Sequence, residues 1–321
     1  MHIDKPQHRP PRDMMCPMLQ VSRGCSHGKC HFCDIYNGVG FQPSPMSEIL
    51  EDIDELAAKA TKLDQRIYLV GGNPFALSNR RLLEIFDAVE AKIPQVRSYG
   101  GFCRITDVAA KTDAELEELA ARGVSDICIG AESGYDPILS FMEKGQTAHD
   151  LVEQGARLHK AGITSTFFYL AGLAGAGKGQ ENALASARAF SAAAPETILI
   201  VTLTPTQDWR LKEDIAAGTW TPAGEVETVE EIRTFIANLT CKTSIISSHD
   251  SDVVRFNGII PEEQGKMLQL LDHYIPIVNE GAARKMREMI HKATFEPAFS
   301  GLALRRMGKG SPLPKTGPAA I

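Results

Sequence analysis

Met18-Leu-Gln-Val-Ser-Arg-Gly-Cys25-Ser-His-Gly-Lys-Cys30-His-Phe-Cys33-Asp34 is the stretch from which the rest of the chain is read. Its first four residues form a short apolar run of the kind that makes a buried strand. Gly24 and Gly28 let the loop after it bend tightly. Three thiols then fall at C-x4-C-x2-C spacing. A strand that empties into a glycine-containing loop with three thiols can wrap a metal centre. Iron–sulfur clusters are held by Cys thiolates, usually four. Three thiolates leave one iron without a protein ligand, and an open position is what a catalytic metal site needs. The same thiols joined by His27 or His31 can also build a structural zinc site in a binding protein. Such sites normally show two ligand pairs separated by a longer loop, and no second C-x2-C pair occurs here.

Outward from this stretch, strand-like runs alternate with helical segments. Met46 to Leu63 is amphipathic, with Ile49, Ile53 and Leu56 at helical spacing. Strands are expected at 66–70, 98–104, 126–130, 163–171 and 197–203, with helices between them. Thr112 with Glu115 three residues later reads as a capping box, and Gly123 as the helix stop. Six β-then-α units predict parallel strands with right-handed crossovers, and are too few for a closed eight-stranded barrel. Residues 14–205 are therefore expected to form the core. Residues 206–296 read as a mostly helical extension, with helices at 208–217, 227–239, 262–275 and 281–292. The Gly-, Pro- and Lys/Arg-rich tail, 297–321, is expected to be mobile.

Gly24-Cys-Ser-His-Gly-Lys-Cys-His-Phe-Cys33 resembles the cluster motif of the radical S-adenosylmethionine (SAM) enzymes, with the aromatic Phe32 just before the last Cys. The family's usual first gap is three residues; the four found here match a variant subgroup. The resemblance implies an α/β fold, an open six-stranded (β/α)6 partial TIM barrel. It also implies a [4Fe–4S] cluster on Cys25, Cys30 and Cys33, whose fourth iron chelates the amino and carboxylate groups of SAM. A reductant such as flavodoxin or ferredoxin would supply one electron. Cleavage of SAM would then yield a 5′-deoxyadenosyl radical that abstracts hydrogen from a substrate the sequence does not fix.

Functional groups in parallel barrels gather at the C-terminal ends of strands. After the second strand comes Gly71-Gly72-Asn73-Pro74, where the resembling family carries Gly-Gly-Glu against the SAM amino group; without that context the stretch is a plain turn. After the fourth comes Gly130-Ala-Glu132-Ser133-Gly134, then Met142-Glu-Lys144. By resemblance Glu132 and Ser133 lie near the SAM ribose and methionine, and Lys144 pairs the carboxylate; Glu132 otherwise serves a helix dipole. Phe32 is expected near the adenine, and Gly172 in a turn that lets adenosine approach the backbone. Gly172-Leu-Ala-Gly-Ala-Gly-Lys178-Gly179 also resembles a P-loop, but lacks the final Ser or Thr that binds magnesium. A nucleotide enzyme using Lys178 is thus the other reading. Cys16, Cys103, Cys128 and Cys241 are scattered and read as ordinary residues. In the extension, the polar stretch Ser247-Ser-His249-Asp250-Ser-Asp252 is expected to line the substrate cavity, with His249 and Asp250 as acid–base candidates.

The totals agree with an enzyme of small molecules. The chain has 321 residues, is 43% hydrophobic and carries a formal charge of −6, which gives no electrostatic footprint for nucleic acid. Seven cysteines and no secretion signal suggest the reducing cytoplasm. No apolar run is long enough to span a membrane.

Overall fold

A computed structural model describes residues 1–3, 9–33, 35–36, 38–61, 65–205, 210–249, 252–278, 280–282, 284–285 and 289. β1 (Met18–Gln20) leads into a small antiparallel arm, β2 (Ser22–Arg23) on β3 (Gln42–Pro43), and the cysteine loop hangs between these two strands. The chain then alternates: α1 (Met46–Lys59), β4 (Arg66–Val70), α2 (Asn79–Lys92) and β5 (Ser98–Cys103). The short α3 (Ile105–Ala109) and α4 (Asp113–Ala121) precede β6 (Ile127–Glu132). Next come α5 (Asp136–Phe141), α6 (Ala148–Ala161), β7 (Ser165–Ala171), α7 (Gly179–Ala193) and β8 (Thr197–Thr202). The extension supplies α8 (Leu211–Ala217), α9 (Glu225–Asn238), β9 (Thr243–Ser247), β10 (Phe256–Ile260) and α10 (Gln264–Tyr274).

One sheet collects these strands in the order β1-β4-β5-β6-β7-β8-β9-β10. Strands from β1 to β9 pair in parallel, and β10 returns antiparallel to β9. Among the described residues this sheet has eight strands, not the expected six. The two additions come from the extension, which had been read as helices joined by a polar segment. β9 extends the parallel series, with Ile245 beside Ile198 and Ile246 beside Leu199. The tail 297–321 and most of the helix expected over 281–292 lie outside the described residues. Among the described residues no helix is long and apolar enough to cross a membrane.

Local chemistry sets the element ends. Thr112 and Glu115 form the expected box: Glu115 N donates to Thr112 Oγ1 (3.2 Å) and Thr112 N to Glu115 Oε2 (2.8 Å). Thr147 and Asp150 repeat it at the start of α6. Strand alternation then sorts the side chains. Ile67 and Leu69, Ile127 and Ile129, Ile198 and Ile200 are each 2% exposed or less and face the helices. Each such burial contributes roughly 1.5–3 kcal/mol. The residues between them face inward, where rings meet edge to face or tilted: Tyr68 to Phe102 at 6.1 Å and Phe102 to Phe168 at 5.7 Å. Parallel strands all end on one side, so the loops after β1, β4, β5, β6 and β7 converge there.

Candidate cofactor site at the strand ends

The cysteine loop is pressed against the end of β4. Gly72 N donates to Gly24 O at 3.0 Å. A Cβ on Gly72 would lie 2.1 Å from Gly24 O and 2.7 Å from the Cα of Cys25. On Gly71, at φ +129°, it would lie 2.2 Å from Ser22 Oγ. Both glycines therefore exist to let the cysteine loop sit on the strand end. Gly24, at φ +67°, closes the same loop against the backbone of Val39 and Gly40.

Asn73 fastens the assembly. It is 1% exposed. Its Nδ2 donates to Ser26 Oγ (2.7 Å) and to Asp107 Oδ2 (2.8 Å), and its Oδ1 accepts from Ser26 N (2.9 Å). Both amide hydrogens are thus used inside the protein, and the carbonyl oxygen keeps a second lone pair. Asp107 also accepts from Arg104 N at 2.8 Å. Burial pushes the Asp107 carboxyl up, against the pull of these hydrogen bonds.

Glu132 and Lys144 form an ion pair at 3.1 Å, with side chains 13% and 7% exposed. Glu132 adopts φ +65°, which turns its side chain off the strand. Gly130 leaves room for the pair: a Cβ there would lie 2.6 Å from Glu132 Oε1. Burial tends to strip the Lys144 proton, but the Glu132 carboxylate and the Cys30 thiol outweigh it and hold the amine above its ordinary value. The same ammonium lies 5.8 Å from the Phe32 ring centroid.

The three thiols stand beside this pair. Burial pushes Cys30 up, and pushes Cys33 up to about 12. Cys25 adds to the rise at both, and Cys30 to that at Cys33, so the sulfurs lie within electrostatic reach of one another. Among the described residues no three His, Cys, Asp or Glu side chains stand close enough to share a single ion. A cluster takes its thiolates on separate irons. Three soft sulfur donors, half-buried beside a cation, on a loop whose seat excludes any larger residue, fit an iron–sulfur cluster. Its positive irons would reverse the cost of ionising buried thiols.

Among the described residues neither histidine offered as a zinc ligand joins the thiols in a group able to hold one ion, and each has another partner. His27 Nε2 donates to Glu143 O at 2.5 Å, and His31 Nδ1 pairs with Asp214 Oδ2 at 2.8 Å. The second contact brings α8 onto the cysteine loop, as does Leu211 N donating to His31 O at 2.9 Å. Phe32, 8% exposed, packs with Met142, Leu173, Leu211 and Trp220, and Cys30 and Cys33 border this apolar cluster.

The remaining candidates lie nearby but differ in kind. Ser133 is fully buried; its hydroxyl donates to Asn182 Oδ1 (2.5 Å) and accepts from Tyr135 N (2.9 Å). Gly172, at φ +83°, donates its N–H to Glu231 Oε2 (3.1 Å), and Gly177 N donates to Glu227 Oε1 (2.6 Å). Two carboxylates thus take the amides that a P-loop would aim at phosphate, and a phosphate there would meet like charge. The loop of His249 is held by Asp252, which accepts from Thr202 N (3.0 Å) and His249 N (2.8 Å). Asp250 lies outside the described residues. Ser26, Asp107, Asp214 and Glu231 were not among the expected site residues, and Asp252 lay in the stretch expected to line the substrate cavity without being singled out. Only the Asp250-Ser-Asp252 cluster gave a sequence signal, and it pointed to the neighbouring acid.

The Radical SAM superfamily model matches residues 19–176. Among curated proteins no sequence matches the chain. Among solved structures, a radical S-adenosylmethionine methyltransferase from Kitasatospora setae, TsrM, with cobalamin and a [4Fe–4S] cluster bound, aligns at TM-score 0.52 and 19% identity over 63% of this chain. Methylornithine synthase (PylB) aligns at TM-score 0.50 and 18% identity over 79% of this chain. The chain spans 39% of the length of TsrM and 68% of PylB. These likenesses concern the fold. With the cysteine motif at its place in that fold and the family model on the same segment, the chain belongs to the radical SAM superfamily, a membership that implies a [4Fe–4S] cluster and SAM as its cofactors.

Proposed function

We propose that this chain reductively cleaves SAM and uses the resulting radical on a small molecule. The observation that carries the reading is the seating of the cysteine loop on Gly71 and Gly72, with the buried Glu132–Lys144 pair beside the thiols. Cys25, Cys30 and Cys33 would hold the cluster. When bound and reduced by one electron from the partner, the cluster would supply that electron to break the S–C5′ bond of SAM, giving methionine and a 5′-deoxyadenosyl radical that would take a hydrogen atom from the substrate.

The protein's own groups bind and orient. Lys144 exchanges its internal partner for the methionyl carboxylate, so its charge stays paired throughout. Glu132, released from Lys144, accepts hydrogen bonds from the ribose hydroxyls. The free lone pair of Asn73 Oδ1 is directed to the SAM amino group. Phe32 packs near the adenine, and the open backbone at Gly172 lets the adenosine approach. The apolar surround of Phe32, Leu173 and Trp220 excludes water from a reactive intermediate. His249 and Asp250 are the acid–base candidates on the substrate side. A reductant such as flavodoxin or ferredoxin is the expected partner, in the reducing cytoplasm.

Anaerobic reconstitution tests the reading. The protein should take up about four iron and four sulfide per chain and turn brown. With a strong reductant and SAM it should release 5′-deoxyadenosine. Cys25→Ala, Cys30→Ala and Cys33→Ala should each abolish both, while Cys241→Ala should not. Stoichiometric zinc without iron, or a full cluster that never cleaves SAM, would overturn it.

A further inference from the structure

Behind the strand ends lies a polar network that the reading above leaves unused. Glu231 of α9 is 1% exposed, yet its carboxylate receives three different donors. Tyr169 OH donates to Oε1 (2.7 Å), Asn182 Nδ2 to Oε1 (2.8 Å) and Gly172 N to Oε2 (3.1 Å). Asn182 of α7 also donates to Tyr169 OH (3.1 Å) and accepts from Ser133 Oγ (2.5 Å). One residue on, Gly134 N donates to Ser186 Oγ at 2.8 Å, and a Cβ on Gly134 would lie 2.7 Å from the Ala189 Cβ. Tyr169 stacks flat on Phe235 of α9, with centroids 4.0 Å apart. The network therefore joins two turns, Ser133–Tyr135 after β6 and Gly172–Gly177 after β7, through side chains of α7 and α9.

These turns border the cysteine loop. Leu173 packs in the cluster of Phe32, and Lys144, reached through the first turn, pairs with Glu132 beside Cys30. A buried carboxylate with donors from three elements is a costly way to hold a core together. Removing any one partner strands a buried polar group, so the network admits few alternative arrangements. We infer that Glu231 and Asn182 are positioning residues that fix the spacing of the two SAM-facing turns from behind, an assignment that rests on the function proposed above. They touch neither SAM nor substrate. Glu231 acts through the Gly172 peptide, and Asn182 through Ser133.

Hydrogen exchange and equilibrium SAM binding test this. Glu231→Gln keeps an acceptor for Tyr169 and Asn182 but turns an NH2 toward the Gly172 N–H. Exchange in cofactor-free protein should therefore quicken at 172–177 and stay as in wild type at 18–25. In reconstituted protein the iron content should be unchanged, while SAM dissociates about fivefold more readily or worse. Asn182→Ala should quicken exchange at 133–135 instead, with the same split between iron content and SAM affinity. Ile232→Val trims the same helix without touching the network, so it separates positioning from plain stability: it should lower the thermal midpoint and leave SAM affinity alone. The inference is overturned if Glu231→Gln keeps wild-type SAM affinity, or if Ile232→Val weakens SAM as much at an equal thermal shift. If wild-type protein with a full cluster binds no SAM, the proposed function fails and the SAM-facing role of the two turns is overturned with it, whatever the exchange pattern.

Discussion

Asn73 shows how one amide can decide a site's chemistry. The resembling family carries a Glu at this place. Here the position faces the Asp107 carboxylate, 2.8 Å from the amide nitrogen, and a second carboxylate there would meet like charge in a buried setting. Asn supplies donors instead, and ties the cysteine loop to β4 and α3 together. Asn73→Ala should leave Ser26 N without its acceptor and Asp107 with Arg104 N alone of its two donors, at about 1–3 kcal/mol for the stranded amide. Asn73→Asp should be worse than Ala, because it adds repulsion. Thermal midpoints of the three proteins, with iron uptake measured alongside, check the order; an Asp variant as stable as wild type would refute it. Gly72→Ala should be harsher still for the cluster, since its methyl meets backbone rather than a movable side chain. The thiols, the Gly71-Gly72 pair, and Glu132 and Lys144 as single residues stood out because each follows a strand end in a short local motif; that Glu132 and Lys144 pair with each other did not. Asp107 was not, because the residue it caps is Arg104, which is no cap signal, and its role appears only once β4 and β5 are side by side.

At the level of elements, the six β-then-α units were readable from the alternation of apolar runs and helical spacing, and the Thr112 cap from its capping-box motif. β9 and β10 were not. β9 offers only Ile245 and Ile246 among Thr and Ser, and β10 includes Asn257 and Gly258, residue types depleted in strands. Gly258 is there for packing: a Cβ would lie 2.7 Å from the Met267 sulfur, so α10 can approach the sheet closely only over glycine. The extension also supplies α8, whose Asp214 holds His31 and whose Leu211 closes on Phe32. That contact makes α8 a cover for the cysteine loop rather than a separate layer. Asp214→Ala should leave iron uptake intact but loosen the cover. A partly exposed pair is worth about 1 kcal/mol or less, so bleaching of the brown protein by air should quicken by up to about fivefold. Stopped-flow absorbance measures this, and an unchanged rate would mean that α8 does not gate access to the loop.

The whole molecule carries its titrating groups in two populations of opposite sign. Burial pushes Glu231 from 4.5 up to about 7, against its hydrogen bonds from Tyr169, Asn182 and Gly172. Burial does the same to Asp252, from 3.8 up to about 7, against those from Thr202, His249 and Ser247. Each folded-state pKa lies above the unfolded value, so the folded protein binds more protons between about pH 4 and 7. Their stabilising contribution is complete below about pH 4 and is lost as pH rises through 7, at roughly 3–4 kcal/mol for a fully realised shift of this size. Surface carboxylates act oppositely: Glu115, bonded by Thr112, and Asp113, paired with Arg157 and Lys160, are held below their ordinary values of 4.5 and 3.8, and lose their contribution only as pH falls below those values. Burial also lowers His27. The two buried acids dominate because no solvent screens them. The cofactor-free protein should therefore melt at a higher temperature near pH 5.5 than near pH 8, where neither acid keeps its proton. Glu231→Gln and Asp252→Asn remove the titrating groups, and each should flatten that slope, together more than singly since the sites lie on different elements. A wild-type midpoint that rises from pH 5.5 to 8, or a double variant with the wild-type slope, would show that the hydrogen bonds to these carboxylates outweigh burial and keep both ionised.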